Sequence, residues 1–308
     1  MRYLKVSKTP VLNIFAGLMT LLVLTACTAH YAVNSKIETV KSVERYSLRN
    51  TAGPEKSDEL LLILTFSGGG TRAAALSYGI LQALADTQIA VDGKQRRLLD
   101  EVDLISSVSG GSLTSAYYGL FGDRIFEDFE TKYLLRNVER ELAWRAISLS
   151  SWSKLASSYY ARSDLAAEYF DEILFEGKTF SDFQIPRLPL IAINATDIAL
   201  GTQFTFLSNQ FAPICADLSS YPVSRAVTAS AAVPGPFSSI VLKNYAGTCD
   251  YHLPEWAAGA IREDLEYTRR FKNAKNLSSY IDTEKFAYIH LFDGGISDNL
   301  GVRFILNY

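Results

Sequence analysis

In the first part of the chain, apolar runs that end in glycines alternate with stretches of helical pattern. Residues 60–66 are apolar except for one threonine, as expected of a strand buried on both faces of a parallel sheet. Residues 67–72 are rich in glycine, and residues 73–85 are rich in alanine and leucine, which favours a helix. A second strand at 102–106 leads through a Ser/Gly turn into a helix that ends near Leu120. This repeated order predicts an α/β fold with a mainly parallel sheet.

The rest of the chain supplies further strands and helices. Residues 190–197 and 286–292 have strand patterns, and 203–207 is a candidate partner of the first. Residues 121–180 and 255–280 have helical periodicity. Most aromatic residues of the first helical region are expected in the core, and the alternative for a minority is a mobile cover over an apolar site. They are Phe126, Phe129, Tyr133, Trp144, Trp152, Tyr159, Tyr160, Tyr169 and Phe170.

The N-terminus has the pattern of an export signal. Three basic residues precede the apolar run 11–26, which is shorter than the ~20 residues that a transmembrane helix needs. The sequence around its end, Leu24-Thr25-Ala26-Cys27, resembles the lipobox of bacterial lipoproteins. The resemblance implies a signal peptide over 1–26, a lipid on Cys27, a lipidated tether and lead-in over 27–56, and one domain over 57–308. An ordinary signal peptide or an uncleaved anchor is the alternative.

Lipidation would place the protein in the bacterial cell envelope. Two or three acyl chains on Cys27 would hold it firmly to a membrane, whereas one chain binds only marginally. Thr28 stands where such lipoproteins carry aspartate as an inner-membrane retention signal. The resemblance therefore favours the outer membrane.

The amino-acid composition excludes some classes of structure and function. Of 308 residues, 48% are hydrophobic and 20% are charged, which is typical of a globular protein and excludes disorder or a coiled coil as the main structure. The 30 basic and 33 acidic residues give a net charge of -3. Such a chain lacks the basic surface that holds nucleic acid, so nucleic-acid binding is excluded.

The remaining cysteines and the histidines do not form a metal-binding pattern. Cys215 and Cys249 lie in one loop-rich stretch, where a disulfide and two buried free thiols are both open alternatives. No Cys-x-x-Cys pair or histidine cluster accompanies them, so no metal site is expected. His30, His252 and His290 are scattered along the chain.

Three glycine-containing loops follow predicted strands, at the edge where open α/β sheets place their sites. The first, Gly68-Gly69-Gly70, is either a loop that needs glycine dihedrals or, with Ala73, a degenerate dinucleotide-binding fingerprint. The second has Ser109 at the apex of a strand-turn-helix bend, which is the geometry of a nucleophile elbow. A Ser/Gly-rich turn that caps a helix is the alternative.

The third loop supplies a candidate base. Asp293 ends a predicted strand and precedes two glycines, so its carboxylate is expected in the same crevice, although a turn or cap aspartate has the same pattern. Glycines that open a helix would offer backbone N–H groups and the helix dipole to a developing oxyanion. Ser109 and Asp293 are therefore a candidate nucleophile and base.

Taken together, these loops resemble the patatin-like phospholipase family. Residues 68–72 match its Gly-Gly-Gly-x-Arg/Lys box, 107–111 its nucleophile elbow and 293–295 its Asp-Gly-Gly/Ala box. Residues 224–235 resemble its small-residue segment ending in Val-Pro-Gly. The likeness runs from about Leu60 to the last residues. It implies a three-layer fold with helices on both faces of the sheet.

The resemblance also implies a mechanism and a substrate class. Ser109 would attack a carboxylic ester of a membrane lipid or lipid-like molecule, and Asp293 would act as base without a histidine. Gly68, Gly69 and Gly70 would form the oxyanion hole, and Arg72 would anchor that loop or meet a lipid phosphate. No metal or organic cofactor is implied.

Two positions depart from the family pattern, and both put substrate preference and rate in doubt. Ser107 replaces the first glycine of the elbow, and Ala73 stands where a glycine often follows the basic residue. Family members usually continue into a helix after the segment that corresponds to 299–301, whereas only seven residues follow it here. A missing helix would weaken the packing behind Asp293.

Three alternatives differ in mechanism or class. A serine esterase could use His252 or His290 as base, although 290 and 293 face opposite sides of a strand. A nucleotide-binding oxidoreductase would use Gly68 to Ala73 and leave Ser109 and Asp293 unexplained. A non-catalytic or partner-activated envelope lipoprotein is favoured only by the degraded elbow.

Overall fold

A six-stranded sheet forms the centre of the domain. The computed structural model describes residues 32–40, 46–47, 56–148, 154, 157 and 160–307. The strands are β1 (Leu62–Phe66), β2 (Gln88–Val91), β3 (Lys94–Arg97), β4 (Val102–Val108), β5 (Leu190–Asp197), β6 (Thr202–Thr205), β7 (Ile240–Lys243) and β8 (Tyr288–Asp293). The order in the sheet is β1-β4-β5-β8-β7, with β6 paired to β5, while β2 and β3 form a separate hairpin.

Helices follow the strands as the alternating pattern predicts. They are α1 (Gly70–Asp86), α2 (Gly110–Phe121), α3 (Ile125–Phe129), α4 (Val138–Ile147), α5 (Arg162–Phe170), α6 (Ser208–Phe211), α7 (Val223–Ala231), α8 (Glu255–Glu263), α9 (Arg269–Ser279), α10 (Gly295–Asp298) and α11 (Val302–Asn307). Short 3₁₀ turns at Leu98–Glu101, Gly122–Arg124 and Phe180–Asp182, and π-helical turns at Glu130–Leu134 and Asp171–Phe175, connect them.

Consecutive residues of β4 show that both faces of the sheet are covered. Ser107 bonds to Ser115 on α2, and Ser106 bonds to the carbonyl of Gly301, which precedes α11. Because neighbouring side chains of a strand point to opposite faces, α2 and α11 lie on opposite sides. The α/β architecture with helices on both faces is confirmed, and a short helix, α11, follows residue 301.

The direction of β8 differs from the expectation that all three site loops end parallel strands. β1, β4 and β5 are parallel to each other, whereas β8 runs antiparallel to β5 and to β7. Four of the six strands thus point one way, and β6 and β8 point the other way. The strand carrying Asp293 therefore enters the site from the opposite direction to β4, which carries Ser109.

The expected tether over 27–56 is in part an element of the domain. Asn34 bonds to the backbone of Lys243 through its amide nitrogen, at 2.8 Å, and its amide oxygen, at 2.9 Å. The hydroxyl of Tyr46 donates to the carbonyl oxygen of Ile191 at 2.8 Å. These polar partners explain why a polar stretch can pack on the domain. The predicted signal peptide over 1–26, Cys27 and His30 lie outside the described residues.

A disulfide joins Cys215 to Cys249 and decides between the two alternatives for these cysteines. Their sulfur atoms are 2.09 Å apart and their Cα atoms 5.7 Å apart. The bond ties the segment before α7 to the loop after β7, and the N–H of Ile37 donates to the Cys215 carbonyl at 2.9 Å. The lead-in, this loop and the core therefore meet at one place.

Most of the aromatic residues between 121 and 180 are core residues, as expected. Phe129, Tyr133, Tyr169 and Phe170 are buried, whereas Trp144 is exposed. Trp152 and Tyr159 lie outside the described residues. Within the described part of the chain, no helix is both long enough and apolar enough to cross a membrane.

Candidate active site

Ser109 occupies a strained turn between β4 and α2. Its backbone has φ 51° and ψ −121°, a region that residues other than glycine rarely adopt. The residue is 8% exposed, and α2 begins at the next residue. A sharp strand-to-helix turn with serine at its apex is the geometry of a nucleophile elbow.

The glycines after Ser109 are required by close approach of other backbone. A β-carbon on Gly110 would lie 2.0 Å from the carbonyl oxygen of Gly70, and one on Gly111 would lie 2.7 Å from the Cβ of Phe66. No side chain fits at either position. The start of α2 is therefore packed directly against the loop that opens α1.

Ser107, the departure from the elbow pattern, has its own hydrogen bonds. Its side chain is fully buried, and its Oγ accepts from Ser115 Oγ at 2.7 Å. A buried hydroxyl with a partner carries little penalty. The serine is therefore accommodated where the family has glycine, and the turn at Ser109 keeps its shape.

Asp293 reaches the elbow from the end of β8. It pairs with Ala195 of β5, one residue beyond Asn194, which pairs with Val108, so Asp293 lies level with Ser109. Its carboxylate accepts from the N–H of Gly295 at 2.7 Å and interacts with the Ser109 hydroxyl. The structure therefore brings the predicted nucleophile and base together.

Burial controls the charge state of this carboxylate. Asp293 is 7% exposed, and burial raises the pKa of its carboxyl, while the hydrogen bonds from Gly295 and Ser109 lower the pKa to a smaller extent. A carboxylate held in a poorly solvated site is a stronger base than one in water.

The glycine loop supplies fewer free donors than expected. Gly69 has φ 144° and Gly70 φ 62°, and α1 begins at Gly70, where the first N–H groups have no partner within the helix. The N–H of Gly68, however, donates to the carbonyl oxygen of Asn299 at 2.9 Å. The N–H of Gly68 thus already has an acceptor, and the N–H groups of Gly69 and Gly70 are the remaining candidates for the oxyanion hole.

Comparison with known proteins decides the family. A model of the patatin-like phospholipase family matches residues 64–306, which includes every residue of the site described above. This chain belongs to the patatin-like phospholipase family.

Solved structures show a weaker likeness to this patatin-like protein. Human GIVD cytosolic phospholipase A2 is 14% identical with a TM-score of 0.45, and the match covers 87% of this chain and 47% of that chain. The same human enzyme in complex with methyl gamma-linolenyl fluorophosphonate inhibitor and terbium chloride is 20% identical with a TM-score of 0.29, covering 62% and 28%. The chain spans about half the length of the human enzyme. No curated protein matches it.

The basic residue of the patatin-like glycine box faces solvent. Arg72 is exposed in the first turn of α1, and no ion pair of Arg72 is formed with any residue that the structure describes. Both roles predicted for Arg72, anchoring the loop and meeting a lipid phosphate, stay predictions.

The structure adds Asn299, which sequence analysis did not single out. Besides the carbonyl bond to Gly68, its side-chain Oδ1 lies 2.3 Å from where a β-carbon on Gly68 would be and 2.8 Å from one on Gly295. Asn299 thus fills the space between the glycine loop and the Asp293 turn. Its position shortly after Asp293, in the same Asp/Gly-rich segment, is the available sequence signal.

The structure describes two histidines, His252 and His290. His290 Nδ1 bonds to Ser239 Oγ at 3.1 Å, and His252 is exposed. Among the residues that the structure describes, no group of three or more His, Cys, Asp or Glu is arranged to hold a metal ion. The group beside the serine is Asp293.

An open cavity of about 330 Å³ adjoins the start of α1. Thr71 lines it on one side, and residues 135–139 line it on the other. Leu135 and Val138 are apolar, and Arg136 and Glu139 are charged, so the wall is amphipathic. The cavity begins one residue from the candidate oxyanion hole.

Proposed function

We propose that this protein hydrolyses carboxylic esters of membrane lipids through a Ser109–Asp293 dyad and an acyl-enzyme intermediate. The observation that carries the proposal is the strand register that places Ser109, at a strained turn, level with the buried Asp293 carboxylate. Membership of a family of phospholipases supports the substrate class.

In the first half of the reaction, Ser109 Oγ attacks the ester carbonyl carbon and Asp293 takes the hydroxyl proton. The carbonyl oxygen becomes an oxyanion, which the N–H groups of Gly69 and Gly70 and the N-terminus of α1 stabilise. The tetrahedral intermediate expels the alcohol part of the lipid, which takes the proton from Asp293. The acyl group remains on Ser109.

In the second half, Asp293 accepts a proton from water, and the resulting hydroxide attacks the acyl carbon. The ester bond to Ser109 breaks, the serine oxygen recovers the proton, and the fatty acid leaves. No histidine is needed, because the carboxylate lies level with the serine and its pKa is raised by burial.

The intact elbow supports catalysis over a decayed scaffold. The strained φ of Ser109 costs free energy that persists only when the surroundings hold it, and Gly110 and Gly111 leave no room for a side chain. A scaffold with no chemistry has no use for such a turn. The departure at Ser107 leaves the turn in place.

We further propose that the protein acts at the outer membrane of a bacterium, anchored through a lipid on Cys27. The lipobox pattern supports the anchor. Arg72, exposed next to the oxyanion loop, would meet the phosphate of a phospholipid substrate. A lipid anchor would keep the enzyme beside its substrate at all times.

The test is fatty-acid release from mixed phospholipid vesicles and from a short-chain nitrophenyl ester. Ser109→Ala should abolish release, and Asp293→Asn should lower kcat by about 10²–10⁴-fold, the contribution of a general base. His252→Ala and His290→Ala serve as controls and should retain activity. Fatty-acid release that survives Ser109→Ala would exclude the mechanism. Loss of release in a histidine variant would favour a histidine base. No release by the wild type would favour a non-catalytic or partner-activated envelope lipoprotein.

A further inference from the structure

Ser230, near the end of α7, contacts the turns that carry both members of the proposed dyad. Its Oγ accepts from the backbone N–H of Ser109 at 2.8 Å. Its carbonyl oxygen accepts from the N–H of Gly294, next to Asp293, at 3.1 Å. One buried residue thus bonds to the nucleophile turn through its side chain and to the base turn through its backbone.

The direction of the Ser230 hydroxyl follows from its neighbours. Its Oγ lies 2.6 Å from the carbonyl oxygen of Asn194, which can only accept, so the single hydroxyl hydrogen points there. The contact with Ser112 Oγ at 3.0 Å must then have Ser112 as donor. The two lone pairs accept from Ser109 and Ser112, so every donor and acceptor position of this hydroxyl is used.

The end of α7 also holds the base turn. The N–H of Asp293 donates to the carbonyl oxygen of Ala232 at 3.0 Å. The carbonyl oxygen of Asn194, which accepts the Ser230 hydroxyl, lies only 2.3 Å from where a β-carbon on Gly294 would be. β5, α7 and the two turns are therefore joined around Ser230.

We infer that Ser230 is a positioning residue, whose hydroxyl holds Ser109 in the strained conformation that presents its Oγ to Asp293. The inference rests on the proposed function of the dyad. The Ser109 N–H is buried and needs a partner, because a buried N–H without one is costly. Without the Ser230 hydroxyl, the turn relaxes toward an ordinary φ and the Ser109 side chain leaves the carboxylate.

The test compares Ser230→Ala with Ser224→Ala, a matched change of a buried serine on the same helix. Ser230→Ala should lower kcat by about 10- to 100-fold, the effect of misplacing a reacting group, with KM unchanged. The apparent pKa of the rate profile should rise, because the Ser109 hydroxyl, which lowers the pKa of Asp293, moves away from the carboxylate. Ser224→Ala should leave kcat, KM and the pH profile as in wild type.

A second measurement is independent of hydrolysis. Hydrogen exchange of the Ser109 amide should be faster in Ser230→Ala than in Ser224→Ala at matched melting temperature, because only the first change removes its acceptor. Equal exchange and equal kcat in the two variants would overturn the inference. If Ser109→Ala abolishes hydrolysis while Ser230→Ala changes neither kcat nor exchange, only the positioning role of Ser230 is contradicted. If Ser109→Ala remains active, the proposed dyad is contradicted, and the exchange rate of the Ser109 amide still tests the role of Ser230.

Discussion

The carbonyl oxygen of Gly70 lies 2.0 Å from the point where a β-carbon on Gly110 would be. The loop that opens α1 and the turn that opens α2 therefore touch through backbone atoms alone. This contact places the candidate oxyanion donors of one loop beside the nucleophile of the other. It also makes the geometry of the site depend on the absence of a single methyl group.

Gly110→Ala should disrupt this contact. The new methyl group would overlap a backbone oxygen that cannot rotate away, so the expected loss of unfolding free energy is about 3 kcal/mol or more. Urea denaturation measures the loss, and activity should fall with it. Gly79→Ala is the control, since nothing lies within 4 Å of its β-carbon; it should stabilise α1 by about 0.5–1 kcal/mol. Equal stability of the two variants would contradict the contact.

The pH dependence of activity should report the raised pKa of Asp293. Burial is the cause of the rise, and the base works only when ionised. The rate should therefore fall as the pH drops through a value above the ordinary aspartate pKa. A pH–rate profile of kcat measures this value, and an inflection below the ordinary pKa would contradict the assignment.

The raised pKa of Asp293 should also make the stability of the folded protein depend on pH. A carboxyl whose folded pKa is raised binds its proton more tightly in the folded protein, so stability falls as the pH rises from the ordinary pKa through the raised one. Asp293→Asn should therefore raise the melting temperature at neutral pH and not in acid. Asp182→Asn is the opposite control, because the Thr179 N–H lowers the pKa of Asp182, and it should lose stability at neutral pH.

Restoring the family glycine at Ser107 should not improve the enzyme. Ser107→Gly removes the acceptor of the Ser115 hydroxyl and adds backbone freedom to β4. A loss of about 1–2 kcal/mol of unfolding free energy is expected, with no gain in kcat. Ester hydrolysis and denaturation of the same preparation test both parts. A higher kcat in Ser107→Gly would show that the Ser107 side chain restricts the conformation of the turn at Ser109.

Reduction of the Cys215–Cys249 bond should destabilise the domain. The bond closes a loop with a sequence separation of 34 residues, for which chain entropy predicts a stabilisation of about 3–4 kcal/mol. The melting temperature of wild type should fall in dithiothreitol, and that of the Cys215→Ala/Cys249→Ala variant should not respond. A wild-type melting temperature that does not change in dithiothreitol would contradict the stabilisation by the disulfide.

The parts of the fold that were predictable from sequence have local causes. The apolar runs at β4 and β5 identified buried strands, and glycines marked the turns where backbone approaches backbone, as at Gly110. The prediction that β1 is buried on both faces was wrong, because β1 is an edge strand in which only Phe66 is buried. Ser109 and Asp293 were found because their residue types and flanking glycines have a chemical meaning. Their expected proximity rested on placing both loops after strands, at the edge where open α/β sheets have their sites.

Other features depend on contacts between distant segments, which a single sequence does not display. The reversal of β8 follows from its pairing with β5 and β7, and the strand pattern of residues 286–292 is the same in either direction. Gly68 seemed a free donor because its acceptor, Asn299, lies at the other end of the domain. The docking of Asn34 depends in the same way on the backbone of Lys243.

The position of β8 between β5 and β7 also determines when the protein can become reactive. The turn at Ser109 has its acceptor once Ser230 of α7 is in place, whereas Asp293 arrives later in the chain, with a strand that must be inserted between two others. Pairings across long stretches of chain form late, since closing the intervening loop costs entropy. A chain synthesised from its N-terminus therefore carries Ser109 well before Asp293, and under the proposed dyad mechanism it gains activity only once β8 is in place.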